Sequence, residues 1–235
     1  MRFLSSTWLA TRIAFWTVAA VSPCTDAQAQ SIPGYPESWR AYDPREVALL
    51  PNYCKYTQEF RARVQGGGDL DELARWRSVM GETFEHMHHY CWGLMKTNRG
   101  QLLARDQQTR RFYIADAVGE FNYVIERAPP DFIMLPEILT KKGENLIRVG
   151  QGPLGMVELE RAAELKPDYW PPYALMSDYY KDAGNVPKAR DLLERGLALI
   201  PDAAALKRRL AELDPNDTPK QPAPRQAPAR STPAQ

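Results

Sequence analysis

LERAAELKPD (Leu159–Asp168) recurs as LERGLALIPD (Leu193–Asp202), thirty-four residues further on. The echo extends beyond these ten positions: Gly150 and Gly184 stand at the same spacing, as do Pro153 and Pro187. In both copies the apolar residues keep a helical rather than an alternating period, so the repeated unit is made of helix. A fixed period of this size marks units that stack, each covering the apolar face its neighbour leaves bare. Gly150 and Gly184 fall between the two helices of a unit, where a left-handed cap costs glycine least. Pro153 and Pro187 then open the second helices, where a missing N–H has no intrahelical bond to lose.

This pattern resembles the tetratricopeptide repeat (TPR) family, whose unit is a helix pair of the same period. Gly143, Leu146, Gly150, Leu159, Ala162 and Pro167 match its signature within 136–169. Tyr173, Tyr180, Gly184, Ala189, Leu193 and Pro201 match it within 170–203. Lys142 and Met176 replace the usual leucine, Gly155 stands for an alanine and Gly196 for the second alanine; the small positions stay small. A degenerate third unit falls at about 98–131, where Ala117, Phe121, Val124 and Pro129 fit a second helix. IERA (Ile125–Ala128) favours a register four residues away, and both registers stay open.

The resemblance implies an all-α fold, with antiparallel helix pairs stacked as a short TPR-like α-solenoid. It also implies a groove, lined by the first helix of each pair, that takes a protein or peptide segment. Groove-facing positions fall on Glu137, Thr140, Lys141, Glu144 and Arg148 in one unit and on Asp178, Lys181 and Asp182 in the next. Their mixed signs predict a polar surface rather than a single-sign trap; any one of them also reads as a plain solvated position. Tyr169, Trp170, Tyr173, Tyr179 and Tyr180 are assigned to packing between helices, except that Tyr179 lies off the apolar stripe and is expected to be exposed. Ala203–Leu213 is expected to cap the array as a last helix, with Lys207, Arg208 and Arg209 outward.

Upstream, residues 44–100 read as a helical hairpin in front of the array at 101–213. Asp43-Pro-Arg-Glu46 has the form of a capping box with proline in the first turn, so a helix is expected from there to about Val64. Gly66-Gly-Gly68 ends it. Asp69 caps a second arm through Leu70, Leu73 and Trp76, continuing past Gly81 to Asn98-Arg-Gly100. Residues 30–43 read as an irregular lead-in. Residues 214–235 hold six prolines and no aromatic residue, the composition of a disordered tail.

The first 29 residues read as a signal peptide. Arg2 and Arg12 precede an apolar run, Ile13–Val21, and Ala27-Gln-Ala29 offers small residues for cleavage. The run is short for a bilayer span, so no integral membrane span is expected after cleavage; the alternative is an N-terminal anchor left uncleaved. The setting is then periplasmic or secreted. Removing 1–29 takes away two positive charges and one negative, so the formal charge falls from +1 to zero. A neutral chain has no global pull toward nucleic acid. Cleavage also removes Cys24 and leaves Cys54 and Cys91, one on each arm of the hairpin. In an oxidising compartment such a pair is expected to be bridged.

EHMHHYCWG (Glu85–Gly93) holds all three histidines. His86 and His89 share one helical face and His88 and Cys91 another. The structural reading makes them packing and hydrogen-bonding residues. The alternative is a metal-binding or redox-active protein using Cys54, His86, His88, His89 and Cys91, although the spacing matches no zinc finger, C-x-x-C or H-E-x-x-H pattern. No cofactor is expected. Nor is an enzyme: there is no G-x-S-x-G turn, no phosphate loop follows Gly66–Gly68, and Glu85 is the one plausible acid–base group. The preferred reading is an exported TPR-like scaffold that binds another envelope or secreted protein.

Overall fold

The computed structural model describes residues 42–213. The stretch read as a signal peptide, most of the lead-in and the Pro-rich tail lie outside the described residues. Within them every regular element is helical: α1 Pro44–Val47, α2 Leu70–Met80, α3 Met87–Asn98, α4 Gln107–Ile125, α5 Leu135–Arg148, α6 Gly152–Leu165, α7 Pro171–Asp182, α8 Val186–Leu199 and α9 Ala204–Glu212. The pairs α3/α4, α5/α6 and α7/α8 pack as neighbours, and α9 closes against α7 and α8. The expected all-α fold of stacked helix pairs is therefore present.

The two repeat windows each contain one pair, and the echo has a direct structural cause. Both first helices end in the same Schellman cap. Gly150 N–H donates to the Ile147 carbonyl and Gln151 N–H to Leu146; one period later Gly184 donates to Lys181 and Asn185 to Tyr180. The cap demands left-handed backbone at the glycine, and φ is +87° at Gly150 and +76° at Gly184. The conserved spacing of Pro153 and Pro187 places each in the first turn of α6 and α8. Leu159 and Leu193, equivalent in the two copies, are both fully buried.

The pair α5/α6 closes at its backbone. A Cβ on Gly143 would lie 2.8 Å from the Gly155 carbonyl oxygen, and one on Gly155 would lie 2.6 Å from that of Gly143. Only hydrogen fits on either side. Gly155 thus stands where the family pattern has alanine because this pair is closer than alanine permits.

Three sequence expectations need correction. The first arm of the hairpin is not one helix to Val64. Asp43 caps α1 as expected, but α1 ends after Val47; a 3₁₀ turn, Asn52–Tyr56, follows Pro51, and further turns lead to Gly68. Pro51 denies the helix a donor and disfavours helical backbone at Leu50. Glu46, expected to complete the capping box, instead forms a buried ion pair with Arg99. The second arm is bent, since Gly81 takes φ +62° and opens a 3₁₀ segment to His86 before α3 begins. Third, 98–131 does not hold a helix pair. It holds α4 alone, which packs on α3, after a π-helical turn at Arg99–Leu103 and an Asp106 cap. Ala117, Phe121 and Val124 are indeed fully buried there.

Two matched substitutions test the backbone contact. Gly155→Ala should destabilise the chain by about 1–3 kcal/mol, the usual cost of overpacking, despite alanine's better helix propensity. Gly119→Ala in the exposed middle of α4, where a Cβ meets nothing within 4 Å, should stabilise by about 0.5–1 kcal/mol. Chemical denaturation of both variants reads the opposite signs.

Candidate functional site

The first helices of the pairs lie side by side. Tyr90 on α3 donates to Glu137 on α5 at 2.6 Å, and Asn145 on α5 donates to Thr97 on α3, also at 2.6 Å. Helix α5 touches α7, and Arg209 and Glu212 on α9 pair with Asp178 and Lys181 on α7. Polar side chains therefore run along one row, α3–α5–α7–α9.

The residues expected in a groove divide on that row. Glu137, Lys141 and Glu144 are half-buried, and Arg148, Lys181 and Asp182 are exposed. Lys141 and Arg148 both pair with Glu144. Burial raises the Glu144 carboxyl, but the two cations overcome it and hold it below the usual carboxylate value. Thr140 does not face solvent: its hydroxyl donates back to the Pro136 carbonyl and the residue is buried. That bond satisfies the hydroxyl within its own helix. Tyr179 is not the exposed aromatic. It is half-buried, lies over Gly152 and meets Tyr180 edge-on at 5.6 Å. Trp170, at the start of α7, is the more exposed ring. Asp178 is held by Arg209, which is consequently not outward as expected; Lys207 and Arg208 are.

Cys54 and Cys91 form a disulfide with Cα atoms 5.7 Å apart, and both are fully buried. The bridge ties the 3₁₀ turn at Asn52–Tyr56 to α3. It also uses both cysteines of the alternative metal set. The histidines are engaged elsewhere. His88 Nδ1–H donates to the Glu85 carbonyl at 2.9 Å. His89 Nδ1–H donates to Glu120 on α4 at 2.6 Å, and its ring stacks on Tyr123 at 3.6 Å. His86 meets Tyr123 edge-on. Glu120 also receives Lys96, so histidine and lysine together fasten α3 to α4. Among the described residues no three His, Cys, Asp or Glu side chains gather to hold a metal. Glu85, the one acid–base candidate, pairs with Arg77 on the surface.

Sequence reasoning missed the bond from Tyr90 to Glu137 and the burial of the Tyr53 phenol. Burial raises the Tyr53 phenol, and the Glu137 charge adds to it. Tyr90 is fully buried and raised well above the ordinary value by burial first, with Tyr53 and Glu137 contributing. Tyr169 is pushed up to about 12 by burial and by the charges of Glu137 and Glu144. All three phenols thus stay protonated at neutral pH, and Tyr90 donates to Glu137.

In comparisons with known proteins, no family model, no curated protein and no solved structure matches the chain. The fold and site define a class only, an all-helical array of stacked pairs with a disulfide-clamped segment in front.

Two measurements test this assignment. Replacing both cysteines by alanine should destabilise the fold by about 4 kcal/mol on the chain-entropy model, for a sequence separation of 37, with no change in bound metal by elemental analysis. His88 should make stability depend on pH. Burial lowers its pKa from 6.5, with His89 and His86 opposing the proton and the Glu85 carbonyl and Glu59 favouring it. The unfolded chain therefore binds the proton more readily, and stability falls as the pH drops below 6.5 toward the lowered folded value. His88→Gln should flatten that part of the denaturation profile.

Proposed function

We propose that the chain is an exported scaffold of TPR type that binds another envelope or secreted protein along the row α3–α5–α7–α9. The observation that carries this reading is the state of the polar residues on that row. Glu137, Lys141, Glu144, Arg148, Lys181 and Asp182 remain half-buried or exposed, while the other face of the same helices supplies buried Leu139, Leu146 and Met176 to the core. Rigid helices present these charges at fixed spacing, which suits recognition of a segment by several weak polar contacts at once. The repeat signature at 136–203 supports the family, and the buried disulfide suits an oxidising compartment. Among the described residues no helix is long and apolar enough to cross a membrane.

The test is capture. The full chain, immobilised in its oxidised form, should retain a specific protein from the envelope fraction of the organism that makes it. Arg148 and Lys181 have side chains 40% and 44% exposed, and surface pairs of this kind contribute at most about 1 kcal/mol to stability. The double variant Arg148→Glu, Lys181→Glu should therefore fold normally yet lose about tenfold or more in affinity for that protein. Unchanged capture by the folded variant would remove the row from the binding role.

A further inference from the structure

We infer that the front arm holds a second site, a cavity that takes a small organic carboxylate with an apolar body. The site goes beyond the scaffold reading and stands without it, since none of its described lining residues belongs to α3, α5, α7 or α9.

The cavity is the first observation. Its volume is about 640 Å³, and small-molecule sites usually span roughly 300–1,000 Å³. Val47, Leu50 and Val64 give it an apolar wall. Asn52 and Gln65 also line it and are exposed, so a ligand reaches it from solvent without any part of the core opening.

Its charge is the second and independent observation. Among the described residues, Lys55 and Arg63 line the cavity and no Asp or Glu does. Arg63 pairs at 2.9 Å with Glu59, which does not line the cavity, and it donates to the Tyr42 hydroxyl at 3.3 Å. Lys55 is half-buried and has no carboxylate within ion-pair distance among the described residues. Its ammonium lies 4.8 Å from the centre of the Tyr56 ring. A partly dehydrated ammonium without a counter-charge is a cost, and apolar walls around one sign of charge concentrate its field.

The walls are built before any ligand arrives. Tyr42 stacks on buried Phe60 at 4.6 Å and accepts a hydrogen bond from Trp92 on α3 at 2.8 Å. Lys55 follows Cys54, which the disulfide fastens to α3. The turn that carries Arg63, Val64 and Gln65 closes against the same stretch at Gly67, where a Cβ would lie 2.5 Å from the Lys55 carbonyl oxygen. Such preorganisation lowers the cost of binding. A carboxylate suits this lining because ammonium, guanidinium and carboxamide groups all donate to its oxygens. A cation would be repelled, and an uncharged apolar group would leave Lys55 without its counter-charge. The apolar wall in turn calls for more than a bare anion.

The experiment uses full-length, disulfide-bonded, ¹⁵N-labelled protein and two probes, hexanoate and 4-phenylbutyrate, with 4-phenylbutyramide as the uncharged match and acetate as the anion without a body. One or both longer acids should produce saturable shifts at the amides of Leu50, Lys55, Val64 and Gln65, and the amide should not. Acetate should bind about tenfold more weakly or worse, since it leaves the apolar wall uncovered. Lys55→Gln removes a cation that has no ion pair to lose, so it should keep its thermal transition and weaken binding about tenfold. Gln65→Glu, at an exposed position, adds the wrong charge at the mouth and should weaken binding about threefold in a folded protein. Absence of saturable shifts with either acid, equal shifts with the amide, acetate as tight as the longer acids, or unchanged titrations for both variants overturns the inference. Glu37, the nearest acid before Tyr42, lies outside the described residues. Glu37→Gln should leave the affinity unchanged; a gain of threefold or more would give the cavity to the chain's own lead-in and overturn the small-ligand site.

Discussion

Helix α5 meets α6 backbone to backbone, and this closeness sets the geometry on which the array depends. Gly143 and Gly155 face each other with no room for a methyl group. Along the same helix Ile138, Leu139 and Leu146 are buried, while Glu137, Lys141 and Glu144 keep contact with water. The same economy recurs where Gly196 lets Tyr173 and Leu206 come up against α8, so α9 seats as a cap instead of standing off. Small residues here fix the distance between layers, and larger apolar residues such as Leu159 and Leu193 fill what that distance leaves.

This division explains what the sequence made legible. The period of thirty-four is enforced by a backbone requirement, the left-handed glycine of each Schellman cap, and by the buried leucine about two turns into each second helix. Both demands are local and specific to residue type, so they are visible as letters. The α3/α4 pair meets the same packing need without the glycine cap. Its helices are joined by a π-helical turn and an aspartate cap, for which no repeat signature exists; the expected unit therefore begins where α3 ends, and only its second helix, α4, is present within it. The front arm hid its structure for a different reason. Tyr53, Cys54, Tyr56 and Phe60 bury their side chains from short turns rather than from a helix, because a covalent bond, not a hydrogen-bonded spiral, holds the segment down. Helical spacing of apolar residues was present there and was overridden by Pro51 and the disulfide.

The histidine-rich stretch shows how far composition alone can mislead. Three histidines and a cysteine in six residues have the look of a ligand set, yet a helix spreads them over different neighbours. His89 turns to Glu120 and Tyr123, His88 back to its own chain, and Cys91 to Cys54. Each partner comes from a separate element, and that is information the sequence order does not hold. The outcome is a fastening between α3 and α4. Lys96, reaching the same Glu120, adds a further charge to it.

The candidate site follows from the two holding devices acting together. The repeat geometry fixes Glu137 at the start of α5, on the row of first helices, and would do so in any array of this kind. The preceding helix contributes Tyr90, which donates to it, while the irregular arm is pinned to α3 through Cys54 and leaves the Tyr53 hydroxyl unpaired. An unpaired hydroxyl and an unneutralised carboxylate at the junction of a repeat array with its clamp are costs that packing alone gives no reason to keep. Elsewhere along the array comparable groups are paired, from Glu144 to Asp178.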